Sequence, residues 1–200
     1  MRRPGPDEYA DYYSLYIDRV PDGRPLVDVL GEAPDALDAL LGNLPLEREN
    51  FAYETGKWTC REVLGHVIDA ERIFSYRALH IARADSAELP GMDQEEWAAA
   101  SNAAGRPISE LLREFRGLRT ANAVFFASLD EEAFSRRGVA SGVEFTVRAL
   151  IHIIVGHELH HREMLRTRYL AGAAAPRAAA PGTAAPGAAA PGTAAPGPTN

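Results

Sequence analysis

Apolar side chains recur at helical spacing through four long segments of the chain, and this period constrains the fold more than any other feature. In one segment, Val63, Val67, Ala70 and Phe74 fall on one helical face, as steps of three and four residues require in a helix that is buried on one side. No alternating series is long enough to build a sheet core. The pattern therefore predicts an all-α protein with a four-helix bundle. The four segments are residues 26–42, 59–84, 108–129 and 146–170.

The connections between these segments carry weaker signals. Thr59 and Glu62 form a capping-box pattern at the start of the second segment, where each side chain can bond a free backbone amide of the first turn. A short extra helix is expected near residues 94–101, inside the connection 85–106, because proline and glycine flank it on both sides. Residues 138–145 are expected to form a loop or a small hairpin.

The last thirty residues differ in composition from the rest of the chain. A decapeptide of alanine, proline, glycine and threonine occurs at 178–187 and again at 188–197. It offers no large apolar side chain to bury against the entropy cost of ordering, and its prolines block a continuous helix. Residues 171–200 are therefore predicted to be a disordered tail, which leaves a folded domain over residues 1–170.

Charge and composition restrict the partners. The formal net charge of the 200 residues is −7, which argues against binding nucleic acid or an anionic membrane surface. Cys60 is the single cysteine, so neither an intrachain disulfide nor a zinc finger can form. No apolar run approaches the length of a transmembrane helix, and no signal peptide is visible. A soluble, cytoplasmic protein that acts on a small-molecule substrate is the expectation.

Three histidines lie on faces that point into the predicted core. His157 and His161 continue the apolar stripe of the fourth segment, and their spacing of four residues stacks two imidazoles on one helical face. His66 lies on the apolar stripe of the second segment, beside Val63 and Val67. Inward imidazoles are costly unless their nitrogens find partners. One metal ion would satisfy all three, so His66, His157 and His161 are the candidate metal ligands.

Other interpretations of the histidines stay open. A single inward histidine is often a hydrogen-bonded core residue rather than a ligand. The run His157–His161 also matches the His-Glu-x-x-His pattern of zinc proteases, but no acid or histidine follows Glu163 to supply their third ligand. His152 and His160 fall off the ligand face and are expected at the surface or beside the ligands, and His80 near a helix end is expected to be structural.

Several motifs, in order along the chain, resemble the DinB-like (YfiT-like) family of metalloproteins. They cover roughly residues 9–170, and the tail lies outside the family pattern. The matching motifs are YETGKWT at 53–59, EVLGH at 62–66, DAER at 69–72, LPGMD at 89–93 and GHELHH at 156–161.

The resemblance implies a four-helix bundle in which one histidine of the second helix and an H-x-x-x-H pair of the last helix hold a buried divalent metal. By position these are again His66, His157 and His161. Zinc or nickel is the expected metal, with iron or manganese as alternatives, since imidazole suits several divalent ions. Family members are often dimers, so a homodimer is one expected state.

The resemblance leaves three functions open. The first, slightly favoured, is a metal-dependent S-transferase that uses a low-molecular-weight thiol as cosubstrate; the second is a metal-dependent hydrolase; the third is a metal-binding or ligand-binding stress protein without turnover. No catalytic residue is assigned. Asp69 and Glu158 are candidate bases for a hydrolase, with a structural role as the alternative, and Glu71 matches an acidic family position of unknown role. Tyr53 and Trp58 are candidates for the pocket wall or the core.

Overall fold

The computed structural model describes residues 1–170 and confirms the predicted all-α four-helix bundle. The predicted tail, 171–200, lies outside the described residues. Each long helix begins within one residue of its predicted start, and three end within two residues of their predicted ends, whereas the last ends at Met164, six residues before the predicted end at residue 170. The long helices are α2 (Leu26–Leu41), α4 (Cys60–Ala82), α6 (Ile108–Ala127) and α8 (Val147–Met164), and the short ones are α1 (Ser14–Ile17), α3 (Leu46–Glu49), α5 (Gln94–Ala100) and α7 (Glu131–Ser135). A π-helical segment, Leu165–Leu170, follows α8.

The two smaller predictions about the connections are also confirmed. The extra helix is α5, whose first turn is capped by the Asp93 carboxylate. Residues 137–146 form an antiparallel hairpin of β1 (Arg137–Ala140) and β2 (Val143–Thr146). Its two-residue turn places Ser141 and Gly142 at φ of 56° and 71°, the left-handed pair that a tight hairpin turn requires. Among residues 1–170 no helix is long and apolar enough to cross a membrane.

Two apolar clusters fill opposite ends of the bundle and reveal the helix directions. The hairpin-end cluster takes the start of α2 and α8 but the end of α4 and α6; its members include Leu30, Phe74, Phe126, Phe145 and Leu150. The far-end cluster takes the opposite ends of the same helices; its members include Leu37, Leu64, Leu111, Phe115 and Leu165. Helices α4 and α6 therefore run in the same direction, and α2 and α8 run opposite to them.

The parallel pair α4 and α6 requires a connection that returns along the whole bundle, since a helix of twenty residues spans about 30 Å. Residues 83–107 make this return. Leu89 donates its backbone N–H to the Val139 carbonyl beside the hairpin, at 3.0 Å. Further on, the carbonyl of Ala104 accepts a 3.0 Å bond from Arg61 at the opposite end. The extra helix α5 thus belongs to a crossover rather than to a fifth layer.

The capping box fixes where α4 begins. The Glu62 carboxylate accepts from the backbone N–H of Thr59 at 2.8 Å, and the Thr59 hydroxyl accepts from the N–H of Glu62 at 3.3 Å. Tyr169 donates its hydroxyl to the carbonyl of Trp58 at 2.7 Å, which joins the start of α4 to the segment after α8. These contacts place His66, two turns into α4, opposite the end of α8.

The amino-terminal segment closes the bundle over α8. Helix α1 packs against α8 at Gly156, where a Cβ atom would lie 1.9 Å from the backbone oxygen of Tyr16. Glu8 is buried near the start of α8 and accepts a 2.8 Å bond from the Thr146 hydroxyl. The first seventeen residues are therefore part of the packed domain, and they bring Tyr16 next to His157.

Candidate metal centre

The structure brings the three predicted histidines together at the junction between the two apolar clusters. His66 comes from α4, and His157 and His161 come from consecutive turns of α8, which faces α4 in the antiparallel direction. Their side chains are buried, with residue exposures of 5%, 5% and 7%. Along the bundle axis, apolar side chains of both helices lie on either side of the imidazoles. The histidines therefore interrupt the apolar core at a single level along this axis.

The ring nitrogens converge on a common point. The Nε2 atom of His157 lies 3.1 Å from Nε2 of His66 and 3.2 Å from Nε2 of His161. One nitrogen from each residue lies within 4.8 Å of the other two. Ligand nitrogens on a tetrahedral zinc ion lie roughly 3.3 Å apart when the bonds are about 2.0–2.1 Å long. The spacing of the imidazoles therefore fits a shared metal ion.

Hydrogen bonding alone does not account for this contact. A neutral imidazole nitrogen either donates one hydrogen or accepts through one in-plane lone pair, so Nε2 of His157 cannot form good bonds to both neighbours. The Nδ1 atom of His161 is also buried and has no hydrogen-bond partner among residues 1–170. Buried polar groups left in this state are rare. A cation between the three Nε2 atoms would give each of them a partner and remove the conflict at His157, although it would not supply a partner for Nδ1 of His161.

Burial keeps the three imidazoles neutral. It lowers the pKa of His66 to about 4, with a smaller contribution from His160. It also lowers the pKa values of His157 and His161 well below the usual range, with smaller contributions to both from His66 and His160. Metal ions bind the neutral form of imidazole. The site therefore presents its nitrogens in the ligand form at neutral pH.

Aromatic rings enclose the histidine triad on two sides. Trp58 lies against His66, with the ring centres 4.8 Å apart. Tyr16 meets His157 edge to face at 5.1 Å, and Phe74 lies 6.2 Å from the same imidazole. These contacts hold the imidazole planes and restrict water to the remaining side.

That remaining side opens into a cleft of about 340 Å³. His66 and His161 line the cleft, whereas His157 is not among the lining residues and lies behind them. Tyr53 and Trp58, the two candidates for the pocket wall, both line it. The other lining residues are Tyr12, Leu15, Tyr16, Arg19, Gln94, His160, Glu163, Met164, Thr167, Arg168 and Tyr169.

The structure places the candidate bases outside this cleft. Asp69 faces Arg72 at 3.6 Å, and burial raises the pKa of its carboxyl. Glu158 is 2% exposed, lies 3.3 Å from Arg162 and also has a raised pKa because of burial. Neither carboxylate lines the cleft. The structural alternative given for both residues is therefore the one that the geometry favours.

Glu71 forms a buried charge pair instead of a cleft contact. Its carboxylate lies 2.7 Å from Nη2 of Arg119 on α6 and accepts a 2.9 Å bond from the Asn122 amide. Both charged side chains are almost fully buried, with 2% and 1% of their side-chain surface exposed. Glu71 thus joins α4 to α6 behind the triad.

The remaining histidines occupy three different environments. His160 is half-buried and lines the cleft beside His161, with ring centres 5.0 Å apart. His80 bonds the Ala87 carbonyl at 2.9 Å near the end of α4. His152 was expected at the surface or beside the ligands, and this prediction is wrong, because its side chain is buried near the start of α8 and donates Nδ1–H to the Arg148 carbonyl at 2.9 Å.

His152 should make the fold sensitive to acid. Burial lowers its pKa to about 4, helped by the nearby Arg3 and Arg148 charges, whereas an unfolded chain has the ordinary value of about 6.5. Between these values only the unfolded chain binds the proton, so His152 should cost about 1.4 kcal/mol of stability for each pH unit of acidification. In metal-free protein the three triad histidines, whose pKa values burial also lowers, add to the slope with the same sign. The contribution of His152 is therefore the difference in slope between wild type and His152→Asn in urea unfolding from about pH 7 to about pH 5. His152→Asn keeps a donor but does not titrate, and an unchanged slope in that variant would refute the assignment.

Sequence reasoning missed the cleft residues that come before the first long helix. Tyr12 and Tyr16 belong to short helical turns and Arg19 to the turn that follows them, with no apolar period to mark these residues. The signal that could have found them is the pair of tyrosines four residues apart, which stacks two rings on one face; their hydroxyls lie 3.4 Å apart.

The fold and the site together define a class of protein: a helical bundle in which three buried histidines on two antiparallel helices lie beside a cleft. Comparison with known families identifies this class. The family model of the DinB superfamily matches residues 30–165. The chain belongs to the DinB superfamily.

Relatives of known name support the same placement. The chain is 28% identical over 145 residues to a protein of Geobacillus thermodenitrificans named "Putative metal-dependent hydrolase", a match that covers 72% of this chain and 82% of the relative. A protein of the same name from Geobacillus kaustophilus is 27% identical over 130 residues, covering 64% and 73%.

A solved structure shares the fold. YfiT from Bacillus subtilis, described as "a probable metal-dependent hydrolase with an unusual four-helix bundle topology", superposes with a TM-score of 0.63 at 19% identity. The match covers 77% of this chain and 97% of YfiT. The family-model match over residues 30–165 confirms the resemblance seen in the sequence motifs, and the solved structure shows the same fold.

Proposed function

We propose that this protein is a metal-dependent hydrolase whose divalent ion is held by His66, His157 and His161. The observation that carries the proposal is the convergence of three buried, neutral imidazole nitrogens, two of them 3.1 and 3.2 Å from the third. The names of the relatives, which describe metal-dependent hydrolases, favour hydrolysis over the other reactions. Zinc or nickel fits a set of three imidazoles.

A bound divalent ion would lower the pKa of a water ligand and polarise a carbonyl or phosphoryl oxygen. The protein supplies the setting for this chemistry. Because His66 and His161 line the cleft, a substrate in the cleft can reach the ligand set. The cleft volume of about 340 Å³ suits a small molecule.

The cleft side chains supply hydrogen bonds and exclude water. Tyr16 lines the cleft, and its ring packs on His157. His160 lies next to His161 at the same wall and can exchange hydrogen bonds with a substrate. Trp58 and Tyr53 add aromatic surface to the cleft lining. In this proposal the side chains at the cleft, rather than Asp69 or Glu158, handle the substrate.

The thiol S-transferase and the non-catalytic stress protein remain predictions from the family resemblance. No described contact favours a thiol cosubstrate over water. The two enzymatic hypotheses differ in one measurable requirement, since hydrolysis releases product without thiol, whereas thiol transfer consumes a thiol on a model electrophile such as monochlorobimane. A binding protein would retain metal and be inactive in both assays.

Elemental analysis of protein purified without a polyhistidine tag tests the ligand set. Wild type is expected to carry about one divalent ion per chain, since three imidazoles on rigid helices form one site. His66→Ala should reduce the metal content at least tenfold, and so should His157→Ala and His161→Ala. His80→Ala, near the other end of α4, is the matched control and should keep the wild-type content. Full metal retention in any of the three ligand variants would contradict the proposal.

A further inference from the structure

The charge of the cleft differs from the charge of the whole protein. The chain carries a net charge of −7, and most of its arginines form ion pairs. Arg19 and Arg168 line the cleft, and neither forms an ion pair with a carboxylate within residues 1–170. The cleft above the histidine triad therefore has two arginines that form no ion pair within the described part of the protein.

The partners of Arg168 hold it in place without cancelling its charge. Its Nη1 atom lies 3.4 Å from the Tyr53 hydroxyl, and its Cζ atom lies 5.4 Å from the centre of the Tyr53 ring. A neutral aromatic ring attracts a guanidinium but leaves its N–H donors available to other groups. Arg168 is thus oriented at the cleft wall with donors to spare.

The carboxylate at the cleft is already paired with another arginine. Glu163 lines the cleft, but Arg166 holds it through two bonds of 2.8 and 2.7 Å, and Arg19 acts on it electrostatically without forming an ion pair. Arg19 and Arg168 both act electrostatically on His160, and Arg19 acts also on His161, so both cations lie near the histidines of the cleft. A bound metal ion would add further positive charge there.

We propose that the cleft binds small molecules with an oxyanion group, a carboxylate or a phosphate monoester, and that Arg19 and Arg168 are the residues that select them. The planar guanidinium matches both oxyanions through paired N–H donors. The aromatic wall of Tyr12, Tyr16, Tyr53 and Trp58 then contacts an apolar or planar body of the ligand. The claim that the ligand is also the substrate rests on the proposed hydrolase function, whereas the binding preference does not.

Trp58 provides a direct readout. The protein has two tryptophans, and Trp97 lies on α5, outside the cleft lining. In a Trp97→Phe background the fluorescence therefore reports the environment of Trp58 alone. Benzoate, phenyl phosphate and the neutral benzamide are suitable probes, because they share one ring and differ in charge and in oxyanion type.

The expected result is saturable binding of benzoate, phenyl phosphate or both, at least tenfold tighter than binding of benzamide. Arg19→Gln and Arg168→Gln should each weaken oxyanion binding about tenfold, the size of one lost charge-assisted hydrogen bond. Arg113→Gln is the matched control, since Arg113 is exposed on α6, does not line the cleft and forms no ion pair among the described residues. It removes the same charge and should change binding less than twofold.

The titrations are run on metal-free and on zinc-loaded protein. Arginine-dependent binding to the metal-free protein supports the inference even if metal analysis overturns the hydrolase. The inference is overturned if neither anion binds or if benzamide binds equally well. It is also overturned if Arg113→Gln weakens binding as much as the cleft variants do. A further contrary result is that anions bind only to the zinc-loaded protein and that Arg19→Gln and Arg168→Gln bind them as tightly as wild type. In the last case the anion is simply a metal ligand.

Discussion

Gly156→Ala is expected to destabilise the protein by about 3 kcal/mol or more, which exceeds the usual cost of one extra methyl in a core. The added Cβ would lie 1.9 Å from the oxygen, 2.4 Å from the carbonyl carbon and 3.0 Å from the Cα of Tyr16. These are backbone atoms of α1, so no side-chain rotation can relieve the contact. Either α1 moves away from α8 or the helices separate locally.

The functional consequence of Gly156→Ala should be felt at the metal centre. Tyr16 packs edge to face on His157 at 5.1 Å and lines the cleft. If α1 retreats, this ring leaves the imidazole and water gains access to the triad from behind. We expect weaker metal retention in the variant even under conditions where it stays folded.

Gly117→Ala is the control for the backbone argument. Gly117 lies inside α6, and a Cβ there would meet nothing within 4 Å. Alanine is the better helix former, so this substitution should leave stability unchanged or raise it by up to about 1 kcal/mol. Thermal and urea unfolding of both variants measure the difference. Equal stability of Gly156→Ala and Gly117→Ala would show that α1 does not pack on α8 as described.

Much of the fold follows from local sequence patterns. The four long helices have an apolar face because they line one core, and that face is visible as a period in the sequence. The histidine triad was predictable for the same reason, since His66, His157 and His161 occupy positions on these stripes. The hairpin and α5 are also local features, set by turn residues and by the Asp93 cap.

Features that depend on contacts between distant segments were not predictable in this way. The apolar period of a helix shows which of its faces is buried, but it does not show which other helices pack against that face. The parallel arrangement of α4 and α6 therefore had no signal in the local sequence. The close approach of Tyr16 to Gly156 brings together residues that are 140 positions apart. In the sequence, nothing distinguishes Gly156 from any other glycine in a helix. The sequence likewise shows that Glu71 is an acidic residue within α4, but it does not show the partner of Glu71. That partner, Arg119, lies on α6, which follows the crossover connection.

The buried pair of Glu71 and Arg119 should be the second large contributor to stability. Removing one partner of a buried ion pair leaves an unpaired charge in the core and typically costs about 3–5 kcal/mol. Glu71→Leu is therefore expected to lose that amount, since it strands the Arg119 guanidinium and leaves the Asn122 amide without its acceptor. Urea unfolding of the metal-free protein measures the loss without a contribution from metal binding.

The double variant Glu71→Leu/Arg119→Met tests the mechanism. It removes both charges and restores apolar contact, so it should recover much of the stability that Glu71→Leu loses, as replaced buried pairs often do. Glu32→Ala is the surface control, because Glu32 pairs with Arg24 at 2.5 Å in an exposed position and its removal should change stability little.

Glu71 should also affect the metal centre through charge. The Arg119 guanidinium acts electrostatically on His157, and Glu71 compensates it from 2.7 Å. With Glu71→Gln an uncompensated cation would remain behind the triad, which disfavours a second cation between the imidazoles. We expect weaker zinc affinity in Glu71→Gln and a recovery when Arg119→Met is added. If both variants bind zinc as wild type does, the buried pair serves to join α4 to α6 and has no electrostatic part in holding the metal.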